Sequence, residues 1–176
     1  MSHGVIRTDN MKCTKNGNIR SAKYYSDAST KADIDNGNLV EVSELLDGAK
    51  DREIFKAIKP TAASSKNVGV VATPEIIYDE QLKSTGALVN YYNLAGQAIT
   101  VLMLAPGDVF SVSDDCFEGT APTNANVNAK VTFGSSNPSL WLVNDGDGNT
   151  MVGQIIAREL YRGDKYLNVI QILKAN

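Results

Sequence analysis

The segment Gln97–Ser113, with the sequence QAITVLMLAPGDVFSVS, decides the fold. An apolar run from Ala98 to Ala105 stops at the turn residues PGD, and a second run, VFSV, then alternates with a period of two residues. A continuous apolar run is typical of a buried strand, and alternation is typical of a strand buried on one face. Proline presets the first torsion angle of a tight turn and glycine tolerates positive φ, so the break has a physical cause. The segment predicts a hairpin-like unit at the centre of an all-β domain.

Short β-forming runs precede this segment. The pair Asn36-Gly37 marks a turn that leads into a strand at 39–42. Residues 53–59, EIFKAIK, fit either a helical face or a strand, and we favour a strand because the neighbouring runs are strands. Residues 67–73, NVGVVAT, form a β-branched run that ends before Pro74.

Further β-rich runs follow the segment, at 127–133 and 140–143. Residues 153–161 and 166–173 surround a short glycine-containing loop and predict a terminal hairpin. Eight to ten short strands separated by turns predict an all-β barrel or sandwich. The sequence does not decide between these two architectures.

Positive charge is concentrated at the start of the chain. The 176 residues are 43% apolar and carry a net charge of −3. Residues 1–31 hold six Lys or Arg against two Asp, a net charge of +4, whereas the remainder carries −7. This first segment has too few large apolar side chains to offset its own ordering entropy. We therefore expect a basic extended arm over 1–31, with a solvated tail as the alternative, and a β-rich body over 32–176 that leaves room for a small annex at 32–90.

Patterns that could carry chemistry are weak. His3 is the only histidine and falls in the predicted arm, so no His-based catalytic set can be assembled. The acidic pairs lie beside turns, where aspartate is common, at Asp33/Asp35, Asp79-Glu80 and Asp114-Asp115. We expect no enzymatic activity and no cofactor.

Two short motifs, DGDGN at 145–149 and RGD at 162–164, are better explained as turns than as binding sites. The run DGDGN at 145–149 resembles the start of a calcium loop, but Thr150 and Ile156 stand where that loop needs Gly and a bidentate Glu. The tripeptide RGD at 162–164 has the composition of a hairpin turn, which we favour over an adhesion motif. We expect solvent-exposed turns at both places and no metal site.

Trp141 and the cysteines also predict structure rather than chemistry. Trp141 lies within LWLV and is interpreted as a core or interface anchor rather than a sugar platform. Cys13 and Cys116 are the only cysteines, and we expect both to be reduced thiols.

Membrane and nucleic-acid partners are not predicted. The longest apolar run is far shorter than the ~20 residues that span a bilayer, and the first ten residues lack the apolar stretch of a signal peptide. The basic charges of the arm are dilute and interrupted, which disfavours a nucleic-acid partner. We expect synthesis in a cytoplasm.

Several pieces of the chain resemble the small decoration, or cement, proteins of tailed-bacteriophage capsids. They are ADIDNGNLVEV at 32–42, KNVGVVATP at 66–74, LAPGDVFSV at 104–112 and the C-terminal VGQIIAREL at 152–160. The resemblance implies a non-enzymatic structural protein that binds the outer surface of a capsid and stabilises it. It also implies a place on the virion, assembled in the host cytoplasm, with the major capsid protein and neighbouring copies of itself as partners, and it is compatible with a homo-oligomer.

In this interpretation the arm is the docking surface. An arm that orders on docking spreads its contacts over a large area, and repetition on a symmetric shell adds avidity. The residues expected to bind the capsid are the basic and aromatic ones of the arm: Arg7, Lys12, Lys15, Arg20, Lys23, Tyr24 and Tyr25. The alternatives are a tail, fibre or baseplate β-module, and a carbohydrate-binding β-domain that uses Trp141 and the turn carboxylates.

Overall fold

A computed structural model describes most of the chain and confirms the all-β prediction. The described residues are 3–12, 18–46, 53–61, 64–75, 90–145, 148–163 and 165–175, with only the backbone of 8–12 and Arg162. They contain eleven strands, which are β1 Ile6–Lys12, β2 Ile19–Tyr25, β3 Leu39–Leu45, β4 Phe55–Ile58, β5 Val68–Val71, β6 Ile99–Met103, β7 Val109–Ser113, β8 Lys130–Phe133, β9 Trp141–Val143, β10 Val152–Arg162 and β11 Lys165–Lys174. Short 3₁₀ turns lie at Asp114–Cys116 and Asn124–Asn126.

The strands form two layers. One layer, which we call the sheet, has six strands in the order β1-β7-β11-β10-β8-β9. The other layer, which we call the barrel, is closed and has five strands in the order β2-β4-β3-β5-β6. All pairs within the sheet are antiparallel, and the barrel has one parallel pair, β2 with β4. The architecture thus combines a barrel with a sheet packed against it, and the strand favoured at 53–59 is present as β4.

The segment quoted first is not a hairpin. β6 pairs with β2 and β5 in the barrel, and β7 pairs with β1 and β11 in the sheet, so the two strands lie in different layers. The hairpin prediction is wrong because both edges of β6 are already occupied within the closed barrel. The turn between them is fixed to β11: Gly107, at φ +95°, donates its N–H to the Ile172 carbonyl at 2.8 Å. Pro106-Gly107 therefore carries the chain from barrel to sheet.

Alternation along the barrel strands explains why β6 is a continuous apolar run. In β3, Leu39 faces the core shared with the sheet, whereas Val40 faces the interior of the barrel. In β6, Val101 faces the barrel interior, whereas Leu102 packs against the core shared with the sheet. A strand covered on both faces needs apolar residues at successive positions, which is the pattern that the sequence shows.

The described residues before 32 include two strands, β1 and β2, and these belong to the two layers. β1 forms an edge of the sheet through its pairing with β7, and β2 closes the barrel between β4 and β6. The isolated apolar residues of this segment are its buried positions: Ile6 lies in the shared core, and Ala22 and Tyr24 lie in the barrel core. A free arm is corrected to two paired strands because these side chains complete existing cores.

Turns predicted from glycine pairs are present. Gly37 has φ +84° after Asn36, and Gly163 has φ +60° between β10 and β11. β10 and β11 pair along most of their length, from Val152↔Lys174 to Arg162↔Lys165, which confirms the terminal hairpin. Before β6, Asn93 forms an isolated bridge with Ile34.

Candidate functional site

The residues predicted to dock on a capsid are divided between the two layers. Arg7 and the backbone of Lys12 lie in β1 of the sheet, and Lys15 lies outside the described residues. The other four, listed together, lie in β2 of the barrel: Arg20, Lys23, Tyr24 and Tyr25. The six of these residues that the structure describes are therefore split between the sheet and the barrel.

The side chains of β2 have different surroundings. Tyr24 is buried in the barrel core, so we propose no docking role for it. The Arg20 guanidinium lies 5.6 Å from the centroid of the Phe55 ring, and Lys56 Nζ lies 5.3 Å from the centroid of the Tyr25 ring. These cation–π contacts join β2 to β4 across the parallel pair. The basic and aromatic residues of β2 thus contribute first to the barrel itself.

His3 has a partner that its position in the sequence does not suggest. Its Nδ1 lies 2.8 Å from Asp35 Oδ1, and its ring stacks on Tyr92 at a centroid separation of 4.7 Å. The Gly4 N–H donates to Asp35 Oδ2 at 3.3 Å. Asp35 therefore binds two consecutive residues of the N-terminal segment. His3 was expected to lie in the extended arm, but it contacts Asp35 in the loop before β3.

A shallow cleft opens beside this pair. It has a volume of about 370 Å³ and is lined by His3, Asp33, Ile34, Asp35, Asn38 and Tyr92. A carboxylate that orients a histidine is one half of a general-base arrangement. No Ser, Thr, Cys or Lys side chain is among the lining residues in the described part of the chain. The geometry supports a structural role for the His3–Asp35 pair, which holds residues 3–5 against the body of the protein.

A buried junction of polar side chains lies beneath the cleft, centred on Asn36 and Gly37. Asn36 Oδ1 accepts from the Thr73 N–H and from Asn93 Nδ2, both at 3.1 Å, and Asn36 Nδ2 donates to the Thr73 carbonyl at 2.9 Å. Trp141 Nε1 donates to the Gly37 carbonyl at 2.8 Å. Buried amides with all these partners fix one arrangement of the segments they join. The junction therefore ties the barrel to β9 of the sheet.

Trp141 is a core residue, as predicted. It is fully buried, its ring centroid lies 5.9 Å from that of Phe110, and its indole N–H is used at the junction. A buried ring cannot stack on a sugar. The carbohydrate-binding alternative therefore lacks the aromatic platform on which it was based.

Two ionisable groups border the junction. Burial raises the pKa of Glu75 above its ordinary value, and the hydrogen bond from Asn36 opposes this shift. Burial, and then the negative charge of Glu75, raise the pKa of Tyr91. Both shifts follow from partial removal from water next to the junction, so neither by itself indicates catalysis.

Cys116 is a buried free thiol at the same place. Burial raises its pKa to about 12. A Cβ atom at Gly4 would lie 2.8 Å from Cys116 Sγ, and one at Gly37 would lie 2.6 Å from it, so both positions require glycine. The thiol thus fills space between two backbone segments and is not a nucleophile at neutral pH.

The β10–β11 hairpin has a polar brace midway along its length, formed by Asp114, Arg158, Asn168 and Tyr166. Arg158 Nη2 donates to Asp114 Oδ2 at 2.6 Å, and Asn168 Nδ2 donates to Asp114 Oδ1 at 2.7 Å. The Arg158 guanidinium lies 4.1 Å from the centroid of the Tyr166 ring. Asn168 is fully buried, and Arg158 and Asp114 are 11% and 20% exposed, so these charge-assisted bonds are shielded from water. The brace joins both strands of the hairpin to the 3₁₀ turn that follows β7.

Apolar side chains are exposed along the same hairpin. Leu160 is 64% exposed, and Leu173 and Ile156 are 43% and 38% exposed. Among the described residues, three of the six exposed large hydrophobic side chains lie on these two strands. Arg162 ends β10, and Gly163 after it has the positive φ expected of a turn glycine.

A second cleft lies at the edge of the sheet, beyond Glu118. The Glu118 carboxylate accepts hydrogen bonds from the backbone N–H groups of Ser135, Ser136 and Asn137. Burial acts to raise the pKa of Glu118, but these backbone bonds outweigh it and hold the pKa below its ordinary value. The carboxylate occupies the cluster of N–H groups that could otherwise bind an external anion, so it serves to fix the loop 134–138.

The run at 145–149 forms no metal site among the residues that the structure describes. Asp145 is exposed and Gly148 has φ +82°, as in a solvent-exposed turn. No group of three or more His, Cys, Asp or Glu side chains converges as a metal site in the part of the chain that the structure describes. Within the same ranges, no helix has the length and apolar character needed to cross a membrane.

The chain was compared with protein-family models, with curated proteins and with solved structures, and none of them matches it.

Proposed function

We propose that this protein is a non-enzymatic structural protein of a virion, which binds the outer surface of a tailed-phage capsid and stabilises it. The sequence resemblance to decoration proteins supports this proposal. The structural observation that carries it is the β10–β11 hairpin, which is braced midway along its length and exposes apolar side chains. Exposed apolar side chains on a fixed element are typical of protein–protein interfaces.

Leu160 would contribute most to such an interface. Fully burying a leucine contributes about 1.5–3 kcal/mol, and because Leu160 is 64% exposed, docking can gain about 1–2 kcal/mol from it, roughly a 5- to 30-fold change in affinity. Because the brace already fixes the hairpin, docking costs less conformational entropy than it would for an unfolded arm. Arg20 and Lys23 on β2 remain candidates for charge contacts that guide the approach to the shell rather than hold the complex together.

The proposal is tested by co-sedimentation of the purified full-length chain with empty expanded shells assembled from the major capsid protein of the same phage. We expect the wild-type chain to sediment with the shells at a fixed stoichiometry. The Leu160→Ser variant should need roughly 5- to 30-fold more protein for half-occupancy. The matched control is Leu94→Ser, because Leu94 is 47% exposed but lies outside the hairpin.

The two parts of the proposal fail in different ways. If the wild-type chain stays at the top of the gradient at every shell concentration, binding to the capsid is refuted. If the wild type binds and Leu160→Ser binds equally well, only the assignment of the hairpin is refuted. Electron microscopy of the purified particle separates a place on the head from the alternative place on the tail or baseplate.

A further inference from the structure

Residues 3–7, called the N-terminal segment below, are bound to the body in the way that a peptide ligand is bound. His3 and Gly4 contact Asp35. The Val5 N–H donates to Ser113 Oγ at 2.9 Å, and the Val5 carbonyl accepts from the Ser113 N–H at 2.8 Å. Ile6 and Arg7 then continue as β1 opposite Val112 and Ser111. All of these partners lie between about 30 and 110 positions away in the sequence.

The groove that receives the segment is selective. A Cβ atom at Gly4 would lie 2.7 Å from the Asn36 carbonyl oxygen, so the second position accepts only glycine. Val5 and Ile6 are 1% and 6% exposed, so the next two positions require aliphatic side chains. The first position is matched to an aromatic ring with a donor nitrogen, by the stacking on Tyr92 and the Asp35 carboxylate. The groove therefore fits the sequence His-Gly-Val-Ile, which each copy of this chain carries.

The topology allows this segment to leave without disturbing any other pair of strands. β1 is an edge strand, and in the described sheet it pairs with β7 alone. β2, the next strand along the chain, belongs to the barrel, and six residues separate the two. An identical segment from a second molecule would make the same contacts, so exchange conserves every bond listed above.

We propose that the groove between Asp35 and β7 also binds the N-terminal segment of a second copy of this chain, so that copies are linked by exchange of β1. The linkage stands apart from the proposed function, because it is a property of the chain in solution. Exchange between two molecules is bimolecular, whereas binding within one molecule is not. The exchanged fraction should therefore rise nearly in proportion to protein concentration while it is small.

The test uses variants of the full-length chain that each carry one introduced cysteine in addition to the buried Cys116. Arg7 and Ser111 are directly opposed in the β1–β7 ladder, where Cα atoms are about 4.5–5.5 Å apart, a separation that a disulfide can span. Arg7→Cys and Ser111→Cys are made separately in a Cys13→Ser background, mixed, refolded together from urea and oxidised. Arg7→Cys mixed with Thr123→Cys measures linkage by collision, since Thr123 is exposed on a 3₁₀ turn outside the ladder.

We expect a disulfide-linked dimer of Arg7→Cys with Ser111→Cys well above the Thr123→Cys background. Its fraction should rise about tenfold when the protein concentration is raised tenfold, until it saturates. The double variant Arg7→Cys/Ser111→Cys checks the register, because it should link within one chain at low concentration. The proposal is overturned if the mixed pair gives no more dimer than the background, whether the double variant links within one chain or not.

Discussion

The barrel interior is packed closely enough that one added methyl group should be measurable. A Cβ atom at Gly69 would overlap Val101 Cγ1 and lie 2.9 Å from the Leu102 carbonyl oxygen. Overpacking of this kind costs about 1–3 kcal/mol, and the lower entropy of the unfolded alanine chain offsets about 0.4–1 kcal/mol of that. We therefore expect Gly69→Ala to lower the free energy of unfolding by about 1–2 kcal/mol.

The cause of this loss can be isolated with a second substitution. Val101→Ala alone removes two carbon groups, worth about 1.6 kcal/mol by transfer, and leaves a small cavity. In the double variant the new methyl group occupies space that Val101 has vacated. The loss of unfolding free energy in the double variant should therefore be about 1–2 kcal/mol smaller than the sum of the losses in the two single variants.

Urea unfolding, followed by the fluorescence of the single, buried Trp141, measures all four proteins of this cycle. The slope of the unfolding free energy against urea should be the same in each, with only the midpoint changed. If the losses of Gly69→Ala and Val101→Ala add to within 0.5 kcal/mol, a threshold of the size expected for independent sites, the contact between these positions is not the cause and our account of the barrel packing is refuted.

Two further predictions concern ionisable groups. In a Cys13→Ser background, Cys116 should resist iodoacetamide at pH 8, because a pKa of about 12 leaves roughly one thiol in 10⁴ as thiolate. Mass spectrometry measures the labelling, and a rate in native buffer equal to the rate in urea would contradict this prediction. Glu118→Gln should lower the melting temperature at pH 7, because the carboxylate binds three backbone N–H groups. Since the folded pKa of Glu118 lies below its ordinary value of 4.5, the wild type loses this advantage as the pH falls below about 4.5, and a melting difference that persists unchanged at pH 2 would refute the role of the charge.

Local patterns predicted the elements of this fold well. The turns at Gly37 and Gly163 follow from residues that tolerate positive φ, and both are present. The hairpin of β10 and β11 follows from two β-rich runs joined by a short loop, and these strands do pair. Each of these features depends on residues close together in the sequence, so the amino-acid pattern contains the information needed.

Contacts between distant parts of the chain were not predictable in this way. The apolar run of β6 indicated a strand buried on both faces, but nothing in it showed that β2 and β5, rather than β7, would pair with it. His3 and Asp35 are 32 positions apart, and Asp114 and Asn168 are 54 apart. The two consecutive aliphatic residues Val5 and Ile6 after Gly4 were a weak signal of a bound strand, and the polar composition around them concealed it.

The crossing from barrel to sheet at Pro106-Gly107 has a consequence for how the chain is made. Ile6 pairs with Val112, so the first strand waits for more than a hundred further residues before its partner is synthesised. At the usual ribosomal rate of about 5–20 residues per second, this wait lasts roughly 5–20 s. A nascent chain arrested before Val109 should leave Val5 open to protease, whereas one released after Lys174 should protect it. On a polysome many such strands would wait side by side, each next to newly completed grooves on neighbouring chains.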